Sequence, residues 1–243
     1  MTIEVVGVDG DDTLWFHERL YVDAQERLSK IIHRYVRDRE WTTFLDDITI
    51  GNINVFGYGV KSFILSVLEA SVRITQGQIK SSDILEIITV GKEMLSHDIE
   101  LISGVDATLQ ALRHEYHLVL ITKGDTSEQR NKMKSSRFIT NFSSVEVVRE
   151  KDIATYAQIL KDLGKPPSRF VMIGNSIRSD INPVLRLGGW AIHVPGRLIW
   201  KHELAEPLVS SGRYLVARNF EGVPRLIEKI RVSPSSKHEE ILP

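Results

Sequence analysis

Cysteine is absent from the 243 residues. That excludes disulfides, thiolate metal sites and a cysteine nucleophile, and fits a reducing cytoplasm. Net charge is nearly absent too: 31 Lys and Arg against 32 Asp and Glu leave a formal −1. No basic footprint therefore invites nucleic acid or an anionic membrane. Long apolar runs are missing. Val119-Leu120-Ile121 and Phe170-Val171-Met172-Ile173 are strand-sized and far below a membrane span. The opening Met-Thr-Ile-Glu has no basic segment followed by an apolar stretch, so no signal peptide is expected. Neither an internal repeat nor a low-complexity tract occurs, and nothing demands an oligomer. With 42% hydrophobic and 26% charged residues, the chain suits one large globular domain or a core with an insert.

Strand-like runs occur at Ile3–Val8, His117–Thr122, Ser144–Val148, Phe170–Gly174 and Trp190–Val194. Helical patterns separate most of them, at Asp106–His114, Ser127–Ser136, Ile153–Leu163 and Ile181–Leu187. This alternation predicts a three-layer, Rossmann-like α/β sandwich with a mostly parallel sheet. Active sites in such folds lie beyond the carboxyl ends of the strands. The segment 16–102 breaks the alternation with helix after helix, at Glu18–Asp38, Thr42–Asn52, Val55–Ile74 and Gln78–Leu95, punctuated by Gly51, Gly57 and Gly77. We expect an α/β core formed by 1–15 and 103–231, an all-helical cap over 16–102 and a frayed tail over 232–243. An insert directly after the first strand is placed to cover a site, exclude water and select a substrate.

The first strand delivers Asp9 and Asp11 as it ends, within Val8-Asp9-Gly10-Asp11-Asp12-Thr13. One carboxylate can attack phosphorus and form an acyl-phosphate. A second, one alternation away, can protonate the leaving alcohol and then deprotonate water. Two carboxylates and a phosphate dianion repel one another, so a divalent cation is required. An acidic turn after a buried strand has the same composition.

Three further strand ends carry chemistry. Thr122, with Lys123 and Gly124 in the following turn, suits a phosphoryl oxygen, and also suits capping of the next helix. Lys151 lies beyond another strand, as a cation for phosphate or as a solvated loop lysine. Asn175 and Asp180 follow Ile173-Gly174 and offer hard oxygen ligands for Mg²⁺, or ordinary turn and cap chemistry. A parallel sheet gathers all four signals on one edge. In the helical segment, Asn54–Lys61 sets Tyr58 between glycines, with Lys61 placed to meet a second anionic group or the stretch serving as a helix–helix turn. Trp15, Phe16 and His17 read as a hinge, and Trp190 and His193 as strand packing.

These residues resemble the haloacid dehalogenase-like hydrolase superfamily, whose members are mostly Mg²⁺-dependent phosphatases. Asp9-Gly10-Asp11-Asp12-Thr13 matches the first motif, Ile121-Thr122 the second, Lys151 the third and Gly174-Asn175-Ser176…Ser179-Asp180 the fourth. The resemblance implies Asp9 as nucleophile and metal ligand, and Asp11 as acid/base, giving Mg²⁺ its backbone carbonyl. It implies Thr122 on the phosphoryl group, Lys151 stabilising charge, and Asn175 with Asp180 completing the metal site. It also implies a four-helix cap and a small phosphorylated metabolite as substrate. Dehalogenating members lack a second Asp at the position of Asp11, which argues for phosphate chemistry. Asn175 departs from the usual Asp and removes one negative charge from the metal site. A phosphotransferase or mutase with the same nucleophile, and a non-catalytic binding protein with a weakened metal site, are the alternatives.

Overall fold

The computed structural model describes residues 2–36, 41–134, 137–209 and 212–232. Strand β1 (Val5–Val8) leads into four helices, α1 (Glu18–Ile32), α2 (Trp41–Phe56), α3 (Val60–Ile74) and α4 (Ser81–Ser96). Helix α5 (Val105–Leu112) then returns the chain to the sheet. Alternation follows through β2 (His117–Lys123), α6 (Thr126–Lys134), β3 (Ser144–Val148), α7 (Ile153–Asp162), β4 (Phe170–Gly174) and α8 (Asn182–Arg186). The chain closes with β5 (Trp190–His193), β6 (Tyr214–Val216) and α9 (Val223–Val232). Among the described residues no helix is long and apolar enough to cross a membrane.

The six strands run in the order β3-β2-β1-β4-β5-β6, with every pairing parallel. Strand β1 is central, and the direction of winding reverses between it and β4. A crevice opens at such a switch point, beyond the strand ends. Alternation along the strands fills both faces. Val6, Val8, Leu120 and Ile173 pack with Leu109 of α5 and Ile227 of α9. Val5, Ile121 and Met172 pack with Tyr156 and Leu160 of α7 and with Val184 of α8. These are the three layers the sequence predicts.

Helices α1 to α4 bury a separate cluster that includes Leu28, Trp41, Leu45, Phe63, Val67 and Ile87. Two linkers join them to the sheet side by side. The amide of Phe16 donates to the Glu100 carbonyl at 3.0 Å, and that of Ile102 to the Leu14 carbonyl at 2.9 Å. The expected hinge residues thus form part of a short antiparallel bridge between Trp15 and Leu101.

Several boundaries differ from the sequence reading. Val55 and Phe56 end α2 rather than beginning α3, because Gly57 and Gly59 adopt positive φ and break the helix there. Helix α1 stops at Ile32, and Asp38 falls outside the described residues. Strand β6 and helix α9 were not anticipated: β6 spans three residues, too few for a period to show. Of the expected tail, Val232 closes α9 and the rest lies outside the described residues.

Candidate active site

Asp9 follows β1 directly and is anchored through its amide to the Ile173 carbonyl at 2.9 Å. Its side chain is 6% exposed. Lys151 donates to Asp9 Oδ1, and Thr13 Oγ1 donates to Oδ2 at 2.9 Å. The same ammonium donates to Asp180 Oδ1 at 2.8 Å. At 4% exposure, Lys151 is no solvated loop lysine. Burial opposes its charge, but the carboxylates of Asp180 and Asp9 hold it above the ordinary lysine range. Burial and then the Asp180 carboxylate push Asp9 upward, against the pull of Lys151. One ammonium between two buried carboxylates leaves a net negative charge, which is the physical reason.

Local sequence fixes this corner. Asp152 N-caps α7 by accepting from the Thr155 amide at 2.8 Å, which sets Lys151 at the rim of the sheet. Asp180 lies in a single π-turn, Ile177–Ile181, opened by Ser176, whose Oγ accepts from the Ser179 amide. Asp180 Oδ2 accepts from the Ser176 amide at 3.0 Å. A Cβ on Gly174 would stand 2.2 Å from that oxygen, so only glycine fits there.

Thr122 is 1% exposed and its Oγ1 has no hydrogen-bond partner among the described residues. Its alternative task, capping α6, is taken by Asp125, which accepts from the Glu128 amide at 2.9 Å. An unmet buried hydroxyl costs free energy until a ligand meets it. Gln129 Oε1, in a side chain 3% exposed on the same cavity, is likewise without a partner among the described residues.

Asp11 is held by Trp15, read from the sequence as a hinge residue, and by Lys132 and Gln129, which the sequence reading did not single out. Trp15 Nε1 donates to Oδ1 at 2.6 Å, Lys132 Nζ to Oδ1 at 2.7 Å, and Gln129 Nε2 to Oδ2 at 2.9 Å. Burial opposes its charge, but His17 and Lys132 hold the carboxyl well below the usual range. Burial pushes His17 itself down to about 4, so its imidazole is neutral at pH 7 and the cation at Asp11 is Lys132. Asp12 takes the left-handed conformation, φ 58°, and its carboxylate accepts from the amides of His17 and Glu18 at the start of α1.

A cavity of about 170 Å³ joins these groups to the helical layer. Asp9, Asp11, Thr122, Lys151, Asn175 and Asp180 all line it. So do Lys123, Gly124 and Tyr58; Lys61 does not. The ammonium of Lys61 pairs with Asp125 at 2.8 Å and Ser127 at 2.9 Å on the outer side. Lys123 lies 4.3 Å from the centre of the Tyr58 ring and donates to Ser179 Oγ at 3.0 Å. It is also paired with Glu203, which arrives on the segment 195–209 after β5. Glu203 in turn accepts from Ser176 and Ser179 at 2.6 Å each. Burial opposes its charge, yet Lys123 and these hydroxyls hold its carboxyl down to about 2. No motif flagged Glu203: it meets the site only because the chain folds back. His193, expected as packing, also reaches the site loop, with Nε2 3.1 Å from the Asn175 carbonyl.

The donor chemistry fits a hard cation. Thr13 Oγ1 links Asp9 Oδ2 and Asn175 Oδ1, at 2.9 and 3.4 Å, drawing both oxygens to one point. Among the described residues no group of three or more His, Cys, Asp or Glu is assembled for a metal. Asp9 and Asn175 offer a carboxylate and an amide oxygen there, hard donors that suit an ion keeping several waters. Asp180 spends one oxygen on Lys151 and the other on the Ser176 amide.

A family model described as haloacid dehalogenase-like hydrolase matches residues 3–187. The chain belongs to that family. A crystal structure of a haloacid dehalogenase-like family hydrolase from Xanthomonas campestris is 37% identical to this hydrolase. It aligns over 94% of this chain and 92% of that one, with a TM-score of 0.84. A predicted phosphoglycolate phosphatase from Haemophilus somnus shares the fold at 14% identity, 93% and 98% coverage and a TM-score of 0.64. A 2-haloacid dehalogenase from Pseudomonas syringae pv. tomato does so at 17% identity, 94% and 99% coverage and 0.62. No curated protein matches the chain. Phosphatases and dehalogenases thus share this architecture, and the choice between them falls to the site residues.

Proposed function

We propose that this hydrolase is a Mg²⁺-dependent phosphomonoesterase acting on a small metabolite in a reducing compartment such as the cytoplasm. The observation that carries the reading is the second carboxylate, Asp11, on the same cavity as Asp9 and the unmet hydroxyl of Thr122. A halide leaves without a proton, whereas an alcohol requires one.

In this reading the bound phosphate raises the neighbouring Asp11 carboxyl by repulsion, so that it takes up a proton with the ester. A carboxylate oxygen of Asp9 attacks phosphorus, the ester P–O bond breaks, and the departing alkoxide takes that proton from Asp11. Asp11, now ionised, accepts a proton from water as the water oxygen attacks the aspartyl-phosphate. The P–O bond to Asp9 breaks, inorganic phosphate leaves, and Asp9 is restored. Thr122 donates to a phosphoryl oxygen, and Lys151 holds Asp9 in place while offsetting charge. Asp9, the Asp11 carbonyl and Asn175 would hold Mg²⁺, with Asp180 beside them; bound there, the ion supplies electrostatic stabilisation of the phosphoryl oxygens. Helices α1 to α4 act as the cap, and the small cavity supports a small substrate.

The test is phosphate release from an aryl phosphate, with and without Mg²⁺, for wild type beside Asp9→Asn. We expect Mg²⁺-dependent turnover, falling at least about 10³-fold in the variant. Turnover that survives the substitution in pure protein would overturn the mechanism.

A further inference from the structure

Among the described residues, eight carboxylates and three lysines line the cavity. The lysines are all engaged with acids: Lys151 with Asp9 and Asp180, Lys132 with Asp11, and Lys123 with Glu203. The helical wall is more one-sided still. Glu18, Tyr21 and Gln25 of α1 face the cavity at spacings of three and four, as do Asp46, Thr49 and Ile53 of α2. Neither a lysine nor an arginine of this wall reaches the cavity.

Among the described residues, no hydrogen bond or ion pair holds the carboxylate of Glu18 or Asp46. Both line the same cavity, and the charge of Asp46 acts on Glu18. The charge of Lys201 acts on Asp46, but Lys201 is exposed on the segment after β5 and is not part of the lining. Thr49 Oγ1, beside Asp46 on the same face, is buried and without a partner among the described residues, as are Thr122 Oγ1 and Gln129 Oε1 on the core side. Carboxyl groups crowded on one cavity wall without a counter-ion are compensated, and kept ionised, by a cation with hydrogens to donate. A second anion there meets repulsion; a bare hydroxyl offers a hydrogen bond but no charge.

We propose that the alcohol released by this enzyme carries a protonated amine, held by Glu18 and Asp46 while the phosphoryl group sits at Asp9, Thr122 and Lys151. The inference rests on the phosphomonoesterase reading and deepens it. It makes the helical wall a cation subsite, where Lys61 alone had suggested an anion subsite. The amine neutralises the acidic wall, and the ester oxygen faces Asp11.

Three probes of matched size decide the matter: O-phosphoethanolamine, ethyl phosphate and 2-phosphoglycolate. Calorimetric binding to Asp9→Asn in Mg²⁺ is measured alongside turnover by wild type. We expect the amine to bind about tenfold tighter than the ethyl ester, with the carboxylate weakest. Adding Glu18→Gln or Asp46→Asn should shrink the amine's advantage to about threefold or less. An amine preference in binding with turnover supports both proposals. The same preference with no turnover of any ester supports the cation subsite and sinks the phosphomonoesterase reading. Equal binding of amine and ethyl ester, a preference for the carboxylate, or no binding of any probe overturns the cation subsite.

Discussion

At Glu18, burial and then the carboxylates of Asp12 and Asp46 push the side chain up to about 7 from 4.5. A folded-state value above the unfolded one favours the protonated form. Its contribution to stability is therefore full below about pH 4.5 and is lost as pH rises through about 7. Glu18→Gln removes that loss. Its melting temperature should match wild type near about pH 4 and exceed it by roughly 2–4 °C above about pH 8. A difference independent of pH would show that Glu18 does not titrate as described. Stability gained where a ligand contact is given up is the usual trade at functional sites. Asp11 has the opposite sign, held ionised by Lys132. Lys132→Met leaves burial less opposed and raises the carboxyl, so fewer molecules carry the base form at acid pH. We expect the acid limb of the pH–rate profile of phosphate release to gain a second ionisation, so that kcat falls more steeply between about pH 6 and about pH 4 than in wild type, where Asp9 alone titrates.

Helix α3 begins without a capping side chain of its own, at Gly59. Glu128 of α6 supplies one from the core, accepting from the Val60 amide at 2.9 Å and the Lys61 amide at 3.1 Å. A carboxylate at a helix N-terminus meets both orphan donors and the helix dipole. This contact, with Tyr58 donating to Glu150 at 2.7 Å and Arg149 to the Asn54 carbonyl at 2.7 Å, ties the helical layer to the sheet edge. Glu128→Ala removes a cap worth about 1 kcal/mol. Amide exchange at Val60 and Lys61 should accelerate about fivefold, while exchange in β1 and β4 stays as in wild type. Unchanged protection at those two amides would mean that the tether does not hold α3.

One helical cluster, set apart from the clusters on the two faces of the sheet, shapes the behaviour of the whole molecule. The α1–α4 cluster is built from residues 24 to 94, whereas the sheet clusters draw on strands from both ends of the chain. The helical unit is the smaller of the two, and its apolar cluster closes within its own segment. We expect its unfolding to precede that of the sheet. Trp41 reports on the first unit and Trp15 and Trp190 on the second. With the other tryptophans replaced by phenylalanine, the Trp41 signal should move at lower urea than the Trp15 signal. Coincident transitions would make the two units one cooperative structure.

Local pattern determined the first five strands, their parallel class, the helical insert and the four strand-end signals at Asp9, Thr122, Lys151 and Asn175–Asp180. These are legible because burial on both faces writes continuous apolar runs, and because a reacting group follows a strand end at short range. Lys61 shows the limit of that logic: its charge and its place beside glycines were visible, but its ammonium turns to Asp125, outside the cavity. Only the tertiary structure brought Lys132 and Gln129 to Asp11, folded Glu203 back onto Lys123, and gathered Glu18 and Asp46 on one wall. Those groupings join residues far apart in the chain, 28 positions for Glu18 and Asp46 and 121 for Asp11 and Lys132, and a carboxylate on a helix face looks the same in sequence whether it meets open water or a cavity. Sequence fixes which groups a strand end presents; chain return fixes which charges face them and are left without a partner.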